Sequence, residues 1–221
     1  MARETFQKEL DALQEQMLAM GEMTRLAIER SVETLKNRDC EAARAVIHND
    51  KLINHKRWQI EEECLTLIAT QQPVARDLRI IAAILNVIVD LERIGDHAEG
   101  IAKITLLIGG HSHPSPSHDI LKMAQKATDM LTRALQSFVK RDVVEAHAIC
   151  REDDAVDALY EKVYHALLQI MIKDPLMIDV GTYLMWASHN LERIADRVTN
   201  ICERTVFLVA GRMEDVNISK Y

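Results

Sequence analysis

The sequence predicts an all-α fold of two similar antiparallel three-helix bundles. Three observations carry that expectation. The 221 residues include only 7 glycines and 4 prolines against 28% charged residues, a composition of long helices with short connections. Apolar residues recur with helical spacing. The chain is also written twice: Leu91-Glu92-Arg93-Ile94-Gly95-Asp96 and Leu191-Glu192-Arg193-Ile194-Ala195-Asp196 lie 100 positions apart and differ at one residue. An all-β sandwich would need turn signals every ~8–12 residues.

The first helix is expected over 4–37 and stops at Asn37-Arg38-Asp39, where Asp39 suits the N-cap of a second helix over 39–70. Thr70 to Pro73 breaks the pattern, and Pro73 suits the first turn of a third helix over 74–108, where its missing N–H costs nothing. The only real linker is Gly109 to Asp119, rich in Pro, Ser and His. A fourth helix over 118–141 ends at Lys140-Arg141-Asp142, and Asp142 caps a fifth over 143–173. Lys173-Asp174-Pro175 then precedes a sixth over 177–210, with Pro175 in its first turn. Arg38-Asp39 matches Arg141-Asp142, Asp50 matches Asp153 and Asn54 matches Asp157, all 103 positions apart. The three-residue difference falls in the loops before the two prolines. The expected organisation is a first repeat over 1–108, a linker over 109–118, a second repeat over 119–212 and a tail over 213–221. Helices of ~30 residues are ~45 Å long, and short connections make successive helices antiparallel neighbours.

The formal net charge is −7. This argues against nucleic acid as a partner, because such binding rests on Lys and Arg neutralising phosphates. Cys40, Cys64, Cys150 and Cys202 form no C-x-x-C, so a thiolate zinc site is not expected and a reducing compartment is. The first twenty residues carry charges throughout, unlike a signal peptide. The most apolar stretch, Ile80 to Val89, is too short to span a bilayer. The chain is therefore expected to be soluble and cytoplasmic, without a transmembrane segment.

At 100° per residue, Ile80, Ile84, Val87, Leu91, Ile94, Ala98 and Ile101 form the core stripe of the third helix. A second stripe runs through Val74, Leu78, Ile81, Leu85 and Ile88 and continues as Glu92, Asp96 and Glu99. The sixth helix repeats this: Leu184, Ala187, Leu191, Ile194, Val198 and Ile201 form its core stripe, and Met185, Ser188, His189, Glu192, Asp196 and Glu203 the other. The acids thus extend an apolar line. Two acids at i and i+4 repel by a few tenths of a kcal/mol, and partial burial adds to that, so their duplication points to a compensating cation or arginine. Arg93 and Arg193 lie about 100° round the helix from the glutamates and are not expected to pair with the acids beside them.

On the second helix of each half, Asp50/Asn54 and Asp153/Asp157 are also i, i+4 pairs. If these helices face the third and sixth, each half presents four oxygen side chains: Asp50, Asn54, Glu92 and Asp96, then Asp153, Asp157, Glu192 and Asp196. All-oxygen ligation suits Mg²⁺, Ca²⁺, Mn²⁺ or oxygen-bound iron. The Glu-x-x-His signature of di-iron bundles is missing. A lone E-x-x-x-D is ordinarily a solvated face; the repetition is what raises it above that. The blander expectations are that His189 packs or caps, that His111, His113 and His118 belong to a polar linker, that Trp58, Trp186, Tyr160 and Tyr164 pack between helices, and that the cysteines are small core residues. No P-loop, Gly-rich nucleotide turn or nucleophile triad is legible, so no catalytic site is expected.

The doubled motif at 91–96 and 191–196, together with Gln72-Pro73-Val74-Ala75-Arg76-Asp77-Leu78-Arg79 and Arg151-Glu152-Asp153-Asp154-Ala155-Val156-Asp157, resembles the PhoU family over about residues 5–212. The resemblance implies two pseudo-symmetric three-helix bundles whose E-x-x-x-D motifs, here Glu92/Asp96 and Glu192/Asp196, bind iron, zinc, magnesium or manganese. It implies a homodimer that negatively regulates phosphate uptake and the phosphate-starvation response. The implied partners are the ATPase subunit of the phosphate ABC transporter and a sensor histidine kinase. The family motif often continues with an Asn four residues after the Asp; Asn200 fits, but Gly100 stands in the first copy, and Glu203 is matched by Lys103. Unequal sites are expected, with the second repeat binding metal more tightly. The alternatives are a carboxylate-metal hydrolase, an iron-storage bundle, or a structural bundle whose acids only dock a basic partner.

Overall fold

The computed structural model describes residues 2–109 and 117–212. It contains six helices: α1 Ala2–Asn37, α2 Cys40–Gln71, α3 Ala75–Ile108, α4 His118–Lys140, α5 Val143–Lys173 and α6 Ile178–Ala210, with a 3₁₀ turn at Pro175–Met177 before the last. No strand occurs among the described residues. None of these helices is long and apolar enough to cross a membrane. His111, His113 and nearly all of the linker lie outside the described residues.

The links between α1 and α2 and between α4 and α5 are the same structure twice. Arg38 and Arg141 take the left-handed conformation, with φ of 58° and 57°. The aspartate that follows accepts a cap bond: Asp39 from the Ala42 N–H at 2.9 Å, Asp142 from the Glu145 N–H at 3.0 Å. Both predicted caps are present. Ser117 adds a third, weaker one on α4, accepting from Ile120 N at 3.4 Å. The prolines differ. Pro175 opens the 3₁₀ turn, but Pro73 precedes α3 rather than entering its first turn. A proline disfavours the helical region for the residue before it; Gln72 ends α2 with φ 46°, and Val74 is extended.

All seven residues of the α3 core stripe and all six of the α6 stripe are buried. The two halves do not keep separate cores. One apolar cluster draws on all six helices, with α3 packed along α6 and α1 crossing α4. Gly21 marks that second crossing: a Cβ there would collide with Leu135 Cδ1. The helices α3 and α6 run antiparallel, because His97 and Gly100 face Asn190, Asp90 faces Asn200 and Arg79 faces Gly211. Gly95 turns instead toward α2, where a Cβ would meet Asp50 and Ile53. Cys64, Cys150 and Cys202 are buried and Cys40 half-buried. The expectation that both tryptophans pack between helices does not hold: Trp58 and Trp186 are 59% and 51% exposed, since each points away from the face its helix turns to the core.

Candidate functional site

In the first repeat α2 packs on α3 and sets Asp50 against the acids of the third helix. Asn54 Nδ2 donates to Asp50 Oδ2 at 2.8 Å. The other oxygen, Oδ1, is buried with no hydrogen bond. Burial raises the Asp50 carboxyl to about 6; the charges of Glu99, Asp96 and Glu92 add to this, and the Asn54 bond opposes it. The carboxylates are therefore close enough to feel one another across the helix pair, as the spacing required. Gly95 makes room for the arrangement, since a Cβ there would stand 3.2 Å from Asp50 Oδ1 and 3.3 Å from Ile53 Cδ1.

In the second repeat α5 presents Asp153, 2% exposed, and half-buried Asp157 to α6. Glu192 is raised to about 7, first by burial, then by the charges of Asp196 and Asp157 and to a lesser degree Asp153, with Arg193 opposing. Burial and then Asp196 also raise Asp157. Glu192 Oε2 is buried without a hydrogen bond, although His189 Nδ1 is 3.3 Å away. The expectation that the arginines do not pair with the adjacent glutamates fails in the first half, where Arg93 Nε lies 3.7 Å from Glu92, and in both halves the arginine also meets the aspartate three residues on. Arg93 Nη1 lies 3.4 Å from Asp96, and Arg193 Nη1 lies 3.0 Å from Asp196. Residues three apart on a helix are neighbours on one face, so the aspartate is the partner nearest each guanidinium.

These faces suit a hard or borderline cation in donor type, charge and unsatisfied oxygen atoms. They are not closed cages: among the described residues no three His, Cys, Asp or Glu side chains converge as a ready metal-binding group. Repulsion holds uncompensated carboxylates apart, so a cation would have to draw them together.

A family model described as the PhoU domain matches residues 17–105 and 120–205, one segment in each half. The chain belongs to the PhoU family. It is 37% identical over 218 residues to a phosphate-specific transport system accessory protein PhoU homolog of Clostridium acetobutylicum, covering 98% of this chain and 100% of that one. It is 33% identical to the PhoU protein of Escherichia coli K12, covering 94% and 86%. Crystal structures of PhoU from Pseudomonas aeruginosa and from Streptococcus pneumoniae superpose with TM-scores of 0.88 and 0.89, at 32% and 31% identity. The first covers 94% of this chain and all of that one, the second 95% and 99%.

Within this PhoU fold one predicted site residue is drawn elsewhere. Asn200 Nδ2 donates to Asp90 Oδ1 at 3.0 Å across the α3–α6 seam, where Arg197 Nη1 also lies 3.7 Å from Asp90. The seam accounts for the departure at Gly100 as well. Position 100 meets Asn190, as position 200 meets Asp90, and a Cβ at 100 would come within 3.1 Å of Asn190 Oδ1. Glu99 is the member that the sequence reading left out of the site. Its charge acts on Asp50 more than that of Glu92 or Asp96, and its place on the same stripe was the available signal. Lys103 Nζ lies 2.5 Å from Glu99 Oε2, so the residue that breaks the match with Glu203 offsets an acid that has only Thr199 as its counterpart.

Proposed function

We infer that this protein is a cytoplasmic regulatory accessory protein of a phosphate ABC transporter. In this reading it works as a homodimer without catalysis of its own, restraining phosphate uptake and the phosphate-starvation response. Its partners are the transporter's ATPase subunit and a sensor histidine kinase. The match to relatives named as phosphate-specific transport system accessory proteins, over nearly their whole length, supports the transport part.

Each repeat would hold divalent or trivalent metal, such as iron, zinc, magnesium or manganese, through Asp50, Asn54, Glu92 and Asp96 in one half and Asp153, Asp157, Glu192 and Asp196 in the other. Asn200, tied to Asp90, would act at the border of the second site. The observation that carries the metal reading is the pair of buried carboxylate oxygens without hydrogen bonds, Asp50 Oδ1 and Glu192 Oε2, one in each repeat. A bound cation would neutralise both faces and set the shape that a partner meets.

The test is co-purification with the ATPase subunit and the kinase at high and low phosphate, with elemental analysis alongside. Wild type should retain metal and capture both partners in a phosphate-dependent way, and a Glu92→Gln/Glu192→Gln variant should lose both properties. Metal-free protein that captures both partners normally would sink the metal role. Metal-dependent turnover of phosphoesters, lost in the same variant, would favour the hydrolase instead.

A further inference from the structure

The two repeats differ in side chains around a cavity in the first. On α4, Arg133 is held by three acids: its Nε donates to Glu145 at 2.7 Å, and its Nη1 to Glu152 at 2.9 Å and to Asp129 at 3.2 Å. Met130, on the preceding turn, is fully buried, as is Ala195 on α6. In the first repeat the arginine is kept as Arg30, but the three acids become Ala42, Asn49 and Leu26. Met130 becomes Ala27, and Ala195 becomes Gly95. Arg30 is exposed, and no ion pair or hydrogen bond engages its side chain among the described residues.

The smaller side chains leave a cavity of about 170 Å³ bordered by α1, α2 and α3. Arg30 and Asp50 both line it, and Leu26, Val46 and Ile53 give it an apolar wall. Glu99, also at its edge, is already paired with Lys103. Two polar requirements stay open. The guanidinium lacks the carboxylates that its counterpart has, and Asp50 Oδ1 is buried without a donor.

We propose that this cavity binds a small carboxylate with a short apolar body. The carboxylate takes on Arg30 the place that Glu145 and Glu152 take on Arg133, in the planar two-point geometry that guanidinium favours. The body occupies the space that larger side chains claim in the second repeat. A donor at its far end meets Asp50 Oδ1. An apolar cavity of about 150 Å³ holds a benzene-sized molecule, so the ligand has roughly six to nine non-hydrogen atoms.

Calorimetric titration of the full chain in chelator, with valerate, 5-aminovalerate and pentylamine, tests this without any metal. Valerate should bind, 5-aminovalerate more tightly, and pentylamine at least about tenfold more weakly than 5-aminovalerate. Ala27→Met, which restores the second repeat's side chain, should weaken 5-aminovalerate about tenfold or more. Arg30→Leu, at an exposed position with no ion pair or hydrogen bond among the described residues, should do the same and covers the case in which the methionine variant misfolds. Absence of heat with both carboxylates, affinity unchanged in Arg30→Leu, or pentylamine binding as tightly as 5-aminovalerate would each overturn the proposal. Because chelator is present throughout, loss of the metal reading leaves this result standing, and the reverse also holds.

Discussion

Replacing Glu192 by glutamine should stabilise the metal-free protein, and should do so more at alkaline than at mildly acid pH. The Glu192 side chain is 14% exposed, and its carboxyl is raised from 4.5 to about 7 by burial and by the neighbouring charges of Asp196 and Asp157. An acid whose pKa rises on folding holds its proton more tightly in the folded state. The cost of ionising it is therefore present in full above about pH 7 and is removed as pH falls toward the unfolded value. The whole difference corresponds to a ceiling of ~3 kcal/mol, and residual solvent access lowers it. Between about pH 8.5 and pH 6 the folded protein recovers about 1.4 kcal/mol from this one residue. The Glu192→Gln variant could recover none of it, since the amide does not titrate. Urea unfolding of both proteins in chelator at those two pH values measures the quantity directly. The stability difference, variant minus wild type, should be about 1.4 kcal/mol larger at the higher pH. A difference that is the same at both pH values would refute the reasoning, because Glu192 would then be ionised equally in the folded and unfolded chain.

The remaining expectations concern the two faces and the seam. Titration with Mn²⁺ or Zn²⁺, followed by thermal unfolding, should show a larger loss of metal-dependent stabilisation in Glu192→Gln than in Glu92→Gln; equal losses would remove the asymmetry between repeats. Gly95→Val should destabilise by about 1–3 kcal/mol in urea unfolding, because its branches would press on Asp50 and Ile53; a neutral result would mean that Asp50 is free to move away. Asp90→Ala should cost about 3 kcal/mol, because it leaves Arg197 and Asn200 half-buried without their shared acceptor; Asn200→Ala should cost only about 1 kcal/mol, and the same unfolding assay ranks the two.

Much of the fold was legible because helices are specified locally. The caps at Asp39 and Asp142 need only a short side chain three residues before an N–H, and the buried stripes of α3 and α6 follow from the 3.6-residue period. The carboxylate faces were legible for the same reason, once repetition separated them from ordinary surface acids. The pairing of Arg93 with Asp96 and of Arg193 with Asp196 is equally local: residues three apart share a helix face, and the angle to the adjacent glutamate does not decide it. The bond from Asn200 to Asp90 is not legible in the sequence, because the spacing of Asn200 from Asp196 is a local fact while that bond joins residues 110 positions apart.

Helix content, the twofold repetition and the alignment of acids with apolar lines are written in the residues themselves, since each depends on neighbours no more than a turn or two away. The shared core, the polar contacts along the α3–α6 seam and the cavity beside Arg30 depend on how whole helices meet. The two repeats are alike in pattern, yet a cavity lies beside Ala27 and Gly95, where the second repeat carries buried Met130 and Ala195. A side chain's volume becomes a cavity or a contact only when another helix is packed against it, and that is a property of the tertiary structure.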